Sequence, residues 1–159
     1  MSTHDLHARD LMEPALLVSP NDEVRTVAER LAASTHPGAV VVGADDILLG
    51  VVTEFDLVFR EAKVHLPSFF TFMDAVVPLG NQKKAMAALE RASASLVADM
   101  MTREVHAASP DTTMEQLATW LTEDHLTLVP VVEEGQVKGV VTRRGLVRAM
   151  AAGWKRSKG

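Results

Sequence analysis

The sequence predicts a mixed α/β (α+β) protein made of two βαββα repeats packed with pseudo-twofold symmetry. Three observations predict it. The chain matches itself at a fixed spacing. Each copy shows the same order of apolar runs and helical stripes. One copy of about 50 residues holds too little apolar surface to be stable alone, so the two must bury their faces against each other.

The match runs from Asp10 to about Ala62 and from Asp99 to about Ala151. Asp10 and Met12 correspond to Asp99 and Met101 at an offset of 89. Ser19-Pro20 corresponds to Ser109-Pro110 at an offset of 90, which continues through Val24, Val27, Ala28 and Leu31 against Met114, Leu117, Ala118 and Leu121. The offset returns to 89 where Gly50-Val51-Val52-Thr53 repeats as Gly139-Val140-Val141-Thr142. Slips of one residue between ordered blocks are what changes in loop length produce.

Each copy opens on a short extended piece, Leu16-Leu17-Val18 or Val105-His106-Ala107, leading into Ser-Pro. A helix follows, with apolar residues at i, i+3, i+4 and i+7; Thr112-x-x-Glu115 has the spacing of a capping box in the second copy. Ala39–Val42 and Leu128–Val132 read as buried strands, with Pro130 marking an edge or an end. Asp45-Asp46 and Glu133-Glu134 fall in equivalent turns, Ile47–Val52 and Val137–Val141 are the return strands, and a helix starts after Thr53 or Thr142. The chain divides into a first repeat with its N-terminal segment (1–62), a connector (63–96) and a second repeat with a basic tail (97–159).

The connector carries Phe69, Phe70 and Phe72, a breaker around Pro78 and Gly80, a candidate N-cap at Asn81, and an alanine-rich helix over Gln82–Leu96. It reads either as a dimer contact or lid, or as a strap packed on its own chain. The tail Trp154-Lys155-Arg156-Ser157-Lys158 reads as a solvated terminus.

Composition narrows function. The hydrophobic share is 47% with only 4% aromatics, so Val, Leu, Ala and Met build the core. A net charge of −5 and no tyrosine argue against nucleic-acid binding, which wants a basic or aromatic face. With no cysteine there is no disulfide, thiolate or cysteine metal site, in keeping with a cytoplasmic protein. The N-terminus lacks the apolar run of a signal peptide, and no stretch is long enough for a membrane span. The histidines show no metal-ligand spacing: His4 and His7 form an adventitious pair, and His36, His65 and His125 are scattered. His106 is read as a base contact or, alternatively, a partly buried structural histidine. Trp120 is read as a dimer contact or as packing against the connector. No nucleophile elbow, phosphate loop or dinucleotide fingerprint occurs, so no catalytic residue and no enzyme activity are expected.

The residues at the two strand-to-helix junctions carry the candidate chemistry. The hydroxyl of Thr53 can cap the new helix or contact an anion beside its free N–H groups. Asp56, one turn on, can accept from two ribose hydroxyls at once. The strand Ala39-Val40-Val41, beside Val18, can floor a slot for a flat base. The competing reading has Thr53 and Asp56 as a cap with no ligand. In the second copy Gly145 replaces the acid, a loss of about 1.5–3 kcal/mol per charged hydrogen bond. The second cleft is then empty, takes a ligand without a ribose, or holds only phosphates; Thr142, Arg143 and Arg144 can hold those phosphates, or the arginines are simply solvated.

The blocks Gly50–Asp56 and Gly139–Gly145, with the Asp-x-Met, Ser-Pro and Pro130-Val131-Val132 patterns, resemble the cystathionine-β-synthase-type (CBS) repeat, over residues 8–62 and 97–151. The resemblance implies a regulatory module whose clefts take an adenosyl ligand such as AMP, ADP, ATP or S-adenosylmethionine. It makes Thr53 and Asp56 the ligand pair of the first cleft, which is expected to be the main site. It further implies a homodimer and an effector protein in another chain that reads the conformational change. A ligand-free interaction module is the alternative.

Overall fold

The computed structural model describes residues 5–61, 95–124 and 126–157. The connector's phenylalanines, Asn81, and His4, His65 and His125 lie outside the described residues, as does nearly all of the Gln82–Leu96 helix. Among the described residues the order is α1 (Ala8–Leu11), β1 (Leu17–Val18), α2 (Val24–Ala32), β2 (Gly38–Val42), β3 (Leu48–Thr53) and α3 (Glu54–Glu61), then α4 (Val97–Met100), α5 (Met114–Thr122), β4 (Leu128–Glu133), β5 (Gln136–Thr142) and α6 (Arg143–Ser157). The tail read as a solvated terminus starts within α6. No helix among the described residues is long and apolar enough to cross a membrane.

Strand alternation builds three layers of core. On β2, Ala39 and Val41 face the first repeat's helices together with Val27, Leu31 and Val52. Val40 faces the other way, toward Leu128, Val137 and Val140 of the second repeat. On β4, Val129 and Val131 face the second repeat's helices with Leu117, Leu121 and Val141. Both sheets are thus covered on both faces at β2 and β4, which is why these two strands read as unbroken apolar runs. Each hairpin carries a bulge at an equivalent place. Val41 and Val42 pair with Gly50 and Leu48, leaving Leu49 over, and Val131 and Val132 pair with Gly139 and Val137, leaving Lys138 over. The extra residue re-aims the strand, so that Leu48 and Val51, and likewise Val137 and Val140, all reach the central layer.

The repeats exchange their first helices. Ala8 and Leu11 of α1 are buried in the second repeat's core, and Val97, Met100 and Met101 in the first repeat's. The amides that have no partner within each helix find carbonyls across the axis. Ala8 N and Arg9 N donate to Thr112 O and Pro110 O at 2.8 and 3.1 Å, and Val97 N and Ala98 N to Asp22 O and Pro20 O at 3.0 and 2.9 Å. The chain after each helix then adds to the other repeat's return strand, through isolated bridges of Glu13 with Val140 and of Thr102 with Val51. Sequence repeats and packed cores therefore have different boundaries.

Two local readings change. The first strand of the second copy shrinks to one bridge, Ala108 with Val131. In the first copy Val40 N donates to Leu16 O at 2.8 Å. Its counterpart is Pro130, which has no N–H, so the second copy loses that bond and the extended piece Val105–Ala107 with it. Pro130 keeps its place in β4 because its nitrogen faces this depleted edge and not β5. The capping box sits one residue later than the sequence suggested: Gln116 N donates to Thr113 Oγ1 at 3.2 Å and Thr113 N to Gln116 Oε1 at 3.1 Å. Thr112 instead closes the Ser-Pro turn, accepting from Ser109 N at 3.0 Å as Asp22 accepts from Ser19 N at 2.8 Å.

Candidate functional site: the two strand-to-helix junctions

The first junction joins β3 to α3. Thr53 N and Thr53 Oγ1 donate to Asp56 Oδ2 at 2.9 and 3.1 Å, and Asp56 N donates back to Thr53 Oγ1 at 3.4 Å. The pair is a reciprocal cap of α3, and both side chains are half-buried. One carboxylate oxygen is thereby committed to the backbone; Oδ1 is left as the acceptor.

The second junction joins β5 to α6. Gly145 N donates to Thr142 Oγ1 at 3.1 Å, and Thr142 is 7% exposed. The helix that starts here carries Arg143, Arg144 and Arg148, where the first carries Glu54, Phe55 and Phe59. These three arginines, with Glu13, His36 and Thr127, line a cavity of about 250 Å³ between the repeats. Arg143 donates to Leu126 O at 3.3 Å, and Arg148 Nη1 to Glu13 Oε1 at 3.0 Å. Three guanidinium groups against one carboxylate, at the N-terminal end of a helix, make a cavity suited to an anion, in a chain that is acidic as a whole. His36 Nε2 lies 2.6 Å from Pro14 O, which can only accept, so the proton is assigned to Nε2. Nδ1 is then a buried acceptor with no partner among the described residues.

The sequence model of the CBS domain matches residues 8–63 and again residues 97–152. The chain belongs to the CBS-domain family. It is 29% identical over 152 residues to the uncharacterized protein MJ1426 of Methanocaldococcus jannaschii, covering 89% of each chain. It is 28% identical over 138 residues to the chloroplastic CBS domain-containing protein CBSX1 of Arabidopsis thaliana, taking in 84% of this chain and 58% of that protein. Among solved structures, CBSX2 in complex with AMP superposes with a TM-score of 0.75 at 24% identity, covering 92% of this chain and 97% of the other. The CBS domain pair of protein MJ0100, in complex with 5-methylthioadenosine and S-adenosylmethionine, superposes at 0.68 with 19% identity, over 92% and 97% of the two chains. At these identities the structural likeness speaks for the fold.

The CBS pair brings some of the anticipated residues together and not others. Thr142, Arg143 and Arg144 converge on the cavity. Thr53 and Asp56 meet each other at the opposite junction. Val18, Ala39 and Val40 are 3%, 0% and 0% exposed and belong to the cores, and Val18 also lines a separate hollow beside Leu17, Pro20, Asp22 and Val42. His106 stays at the surface and lies against Trp120 with ring centroids 3.9 Å apart and the planes tilted by 36°, 3.7 Å from an Asp124 oxygen. Trp120 itself is half-buried against the second core. Glu13, His36 and Arg148 were missed. Arg148 has a visible signal, since it lies one helical turn beyond Arg144. Glu13 and His36 have none: the exchange of first helices carries Glu13 to this place, and the packing of one repeat's sheet on the other brings His36.

Proposed function

We propose that this CBS pair is a regulatory sensor of an adenine nucleotide or related adenosyl ligand. The single observation that carries this reading is the arginine-lined cavity at the second junction. The cavity is suited to phosphate, and adenosine-type ligands occupy relatives of this fold. In this reading Arg143, Arg144 and Arg148 take phosphate oxygens and Thr142 donates its hydroxyl. Thr53 and Asp56 serve a second ligand at the first junction through the oxygen that the cap leaves over. Binding shifts one repeat against the other across the central Val40–Leu128–Val140 layer, and an effector protein reads the shift. The module is non-catalytic, cytoplasmic and homodimeric.

Calorimetric titration with AMP, ADP, ATP, NAD and S-adenosylmethionine tests this. A phosphate-bearing ligand is expected to bind the wild type, with Arg144→Ala weakening it about tenfold, the loss of one charged contact. Absence of binding by the whole panel refutes the sensor.

One observation favours the alternative, a ligand-free interaction module: Asp56 already satisfies a structural role as a helix cap. Thermal shift separates the two, since a ligand at 100 times its dissociation constant stabilises by about 2.7 kcal/mol.

A further inference from the structure

The second junction lacks its own acid, yet a carboxylate stands beside the vacant position. A Cβ built on Gly145 would lie 3.5 Å from Thr142 Oγ1 and 3.9 Å from Glu13 Oε1. Glu13 comes from the other sequence repeat, 132 positions away. Its backbone is fixed by paired hydrogen bonds with Val140, Glu13 N donating to Val140 O at 2.8 Å and Val140 N donating to Glu13 O at 2.9 Å. Its Oε1 is held by Arg148 at 3.0 Å. Oε2 has no hydrogen-bond partner among the described residues, and the side chain is 38% exposed and lines the cavity. The carboxylate is therefore anchored at both ends, reachable, and has one whole oxygen to spare.

We propose that Glu13 is the specificity residue of the second cleft, supplying the diol-accepting carboxylate that Gly145 lacks, with Arg148 as its positioning residue. An ionised carboxylate is an acceptor only, so it selects for hydroxyl donors such as a ribose diol. The arginines at the helix start take the negatively charged end of the same ligand. This first copy's Glu13 and the second copy's Gly145 act as one replacement. The first junction needs none, since Asp56 stands there and its counterpart to Glu13 is the neutral Thr102. The inference rests on the nucleotide-sensing reading of this cleft.

The test uses the full chain carrying Asp56→Asn, which removes the first junction's carboxylate while keeping a capping side chain. ADP and 2′,3′-dideoxy-ADP are titrated calorimetrically. ADP is expected to bind at least about tenfold more tightly than the dideoxy analogue, the difference made by hydrogen bonds to a charged group. Adding Glu13→Gln should lower ADP affinity to the dideoxy value and leave the analogue unmoved. Gly145→Asp added to Glu13→Gln, at a position where a Cβ meets nothing nearer than 3.5 Å, should restore the preference for the diol. Arg144→Ala should weaken both ligands alike. If Arg144→Ala weakens both while Glu13→Gln leaves their ratio unchanged, the role of Glu13 is overturned and the cleft stands as the site. If neither ligand binds, or Arg144→Ala has no effect, the reading of the cleft falls and this inference with it.

Discussion

The carbonyl oxygen of Thr102 lies 2.6 Å from the point where a Cβ on Gly50 would stand. Its pseudo-twofold mate, Glu13 O, lies 2.8 Å from the same point on Gly139. The glycine that opens each Gly-Val-Val-Thr block is thus the place where the exchanged chain of the other repeat crosses the return strand, with no room for a side chain. Gly50→Ala and Gly139→Ala should each destabilise by about 1–3 kcal/mol, because the obstacle is backbone that is itself hydrogen-bonded. Gly145→Ala, whose nearest neighbour is 3.5 Å away within a helix, should be neutral or slightly stabilising. Urea midpoints at unchanged m-value check all three. A Gly50→Ala protein as stable as wild type would contradict the close approach.

Asp56 has a structural role that does not depend on any ligand. Removing the acceptor of Thr53 N in Asp56→Ala should cost about 1 kcal/mol in ligand-free protein. Asp56→Asn should lose less. Thermal unfolding without nucleotide reads this directly, and an unchanged Tm for Asp56→Ala would show that the cap contributes nothing.

Leu128 belongs to the layer between the two sheets and is 6% exposed. Leu128→Ala should cost about 2–5 kcal/mol, the range for a truncated core leucine. Since each repeat buries the other's first helix, the wild type should melt in a single calorimetric transition. Two resolved transitions would mean that the repeats are independent.

Phe55, Val58 and Val147 are 71%, 68% and 62% exposed, and Val58 and Val147 occupy equivalent places on α3 and α6. If this face is where two copies meet, sedimentation equilibrium should give the mass of a dimer for the wild type and of a monomer for Phe55→Glu/Val147→Glu. A wild-type monomer at high concentration would end the homodimer proposal.

Much of the architecture was legible because it is local. The stripe Val24, Val27, Leu31 and the runs Ala39–Val42 and Leu128–Val132 encode helix and strand through their own periodicity, and the duplication announces the pseudo-twofold axis. The Thr53–Asp56 spacing foretold that the two side chains would meet, and the cap they form was one of the two readings it allowed. Pro130 was read as a sign of an edge, but its effect falls on a different segment, the carbonyl of His106 that loses its donor. The capping box moved by one residue because Ser109, not the helix, claims Thr112.

Order along the chain is enough to specify what each segment becomes, since propensity and apolar period act between neighbours a few residues apart. It does not specify which repeat's core a short helix enters, or that Glu13 ends beside Gly145 and Arg148. Those outcomes come from burying α1 and α4 where the apolar gaps are, across the axis. Burial is blind to sequence distance, and so the cavity's chemistry belongs to neither repeat alone.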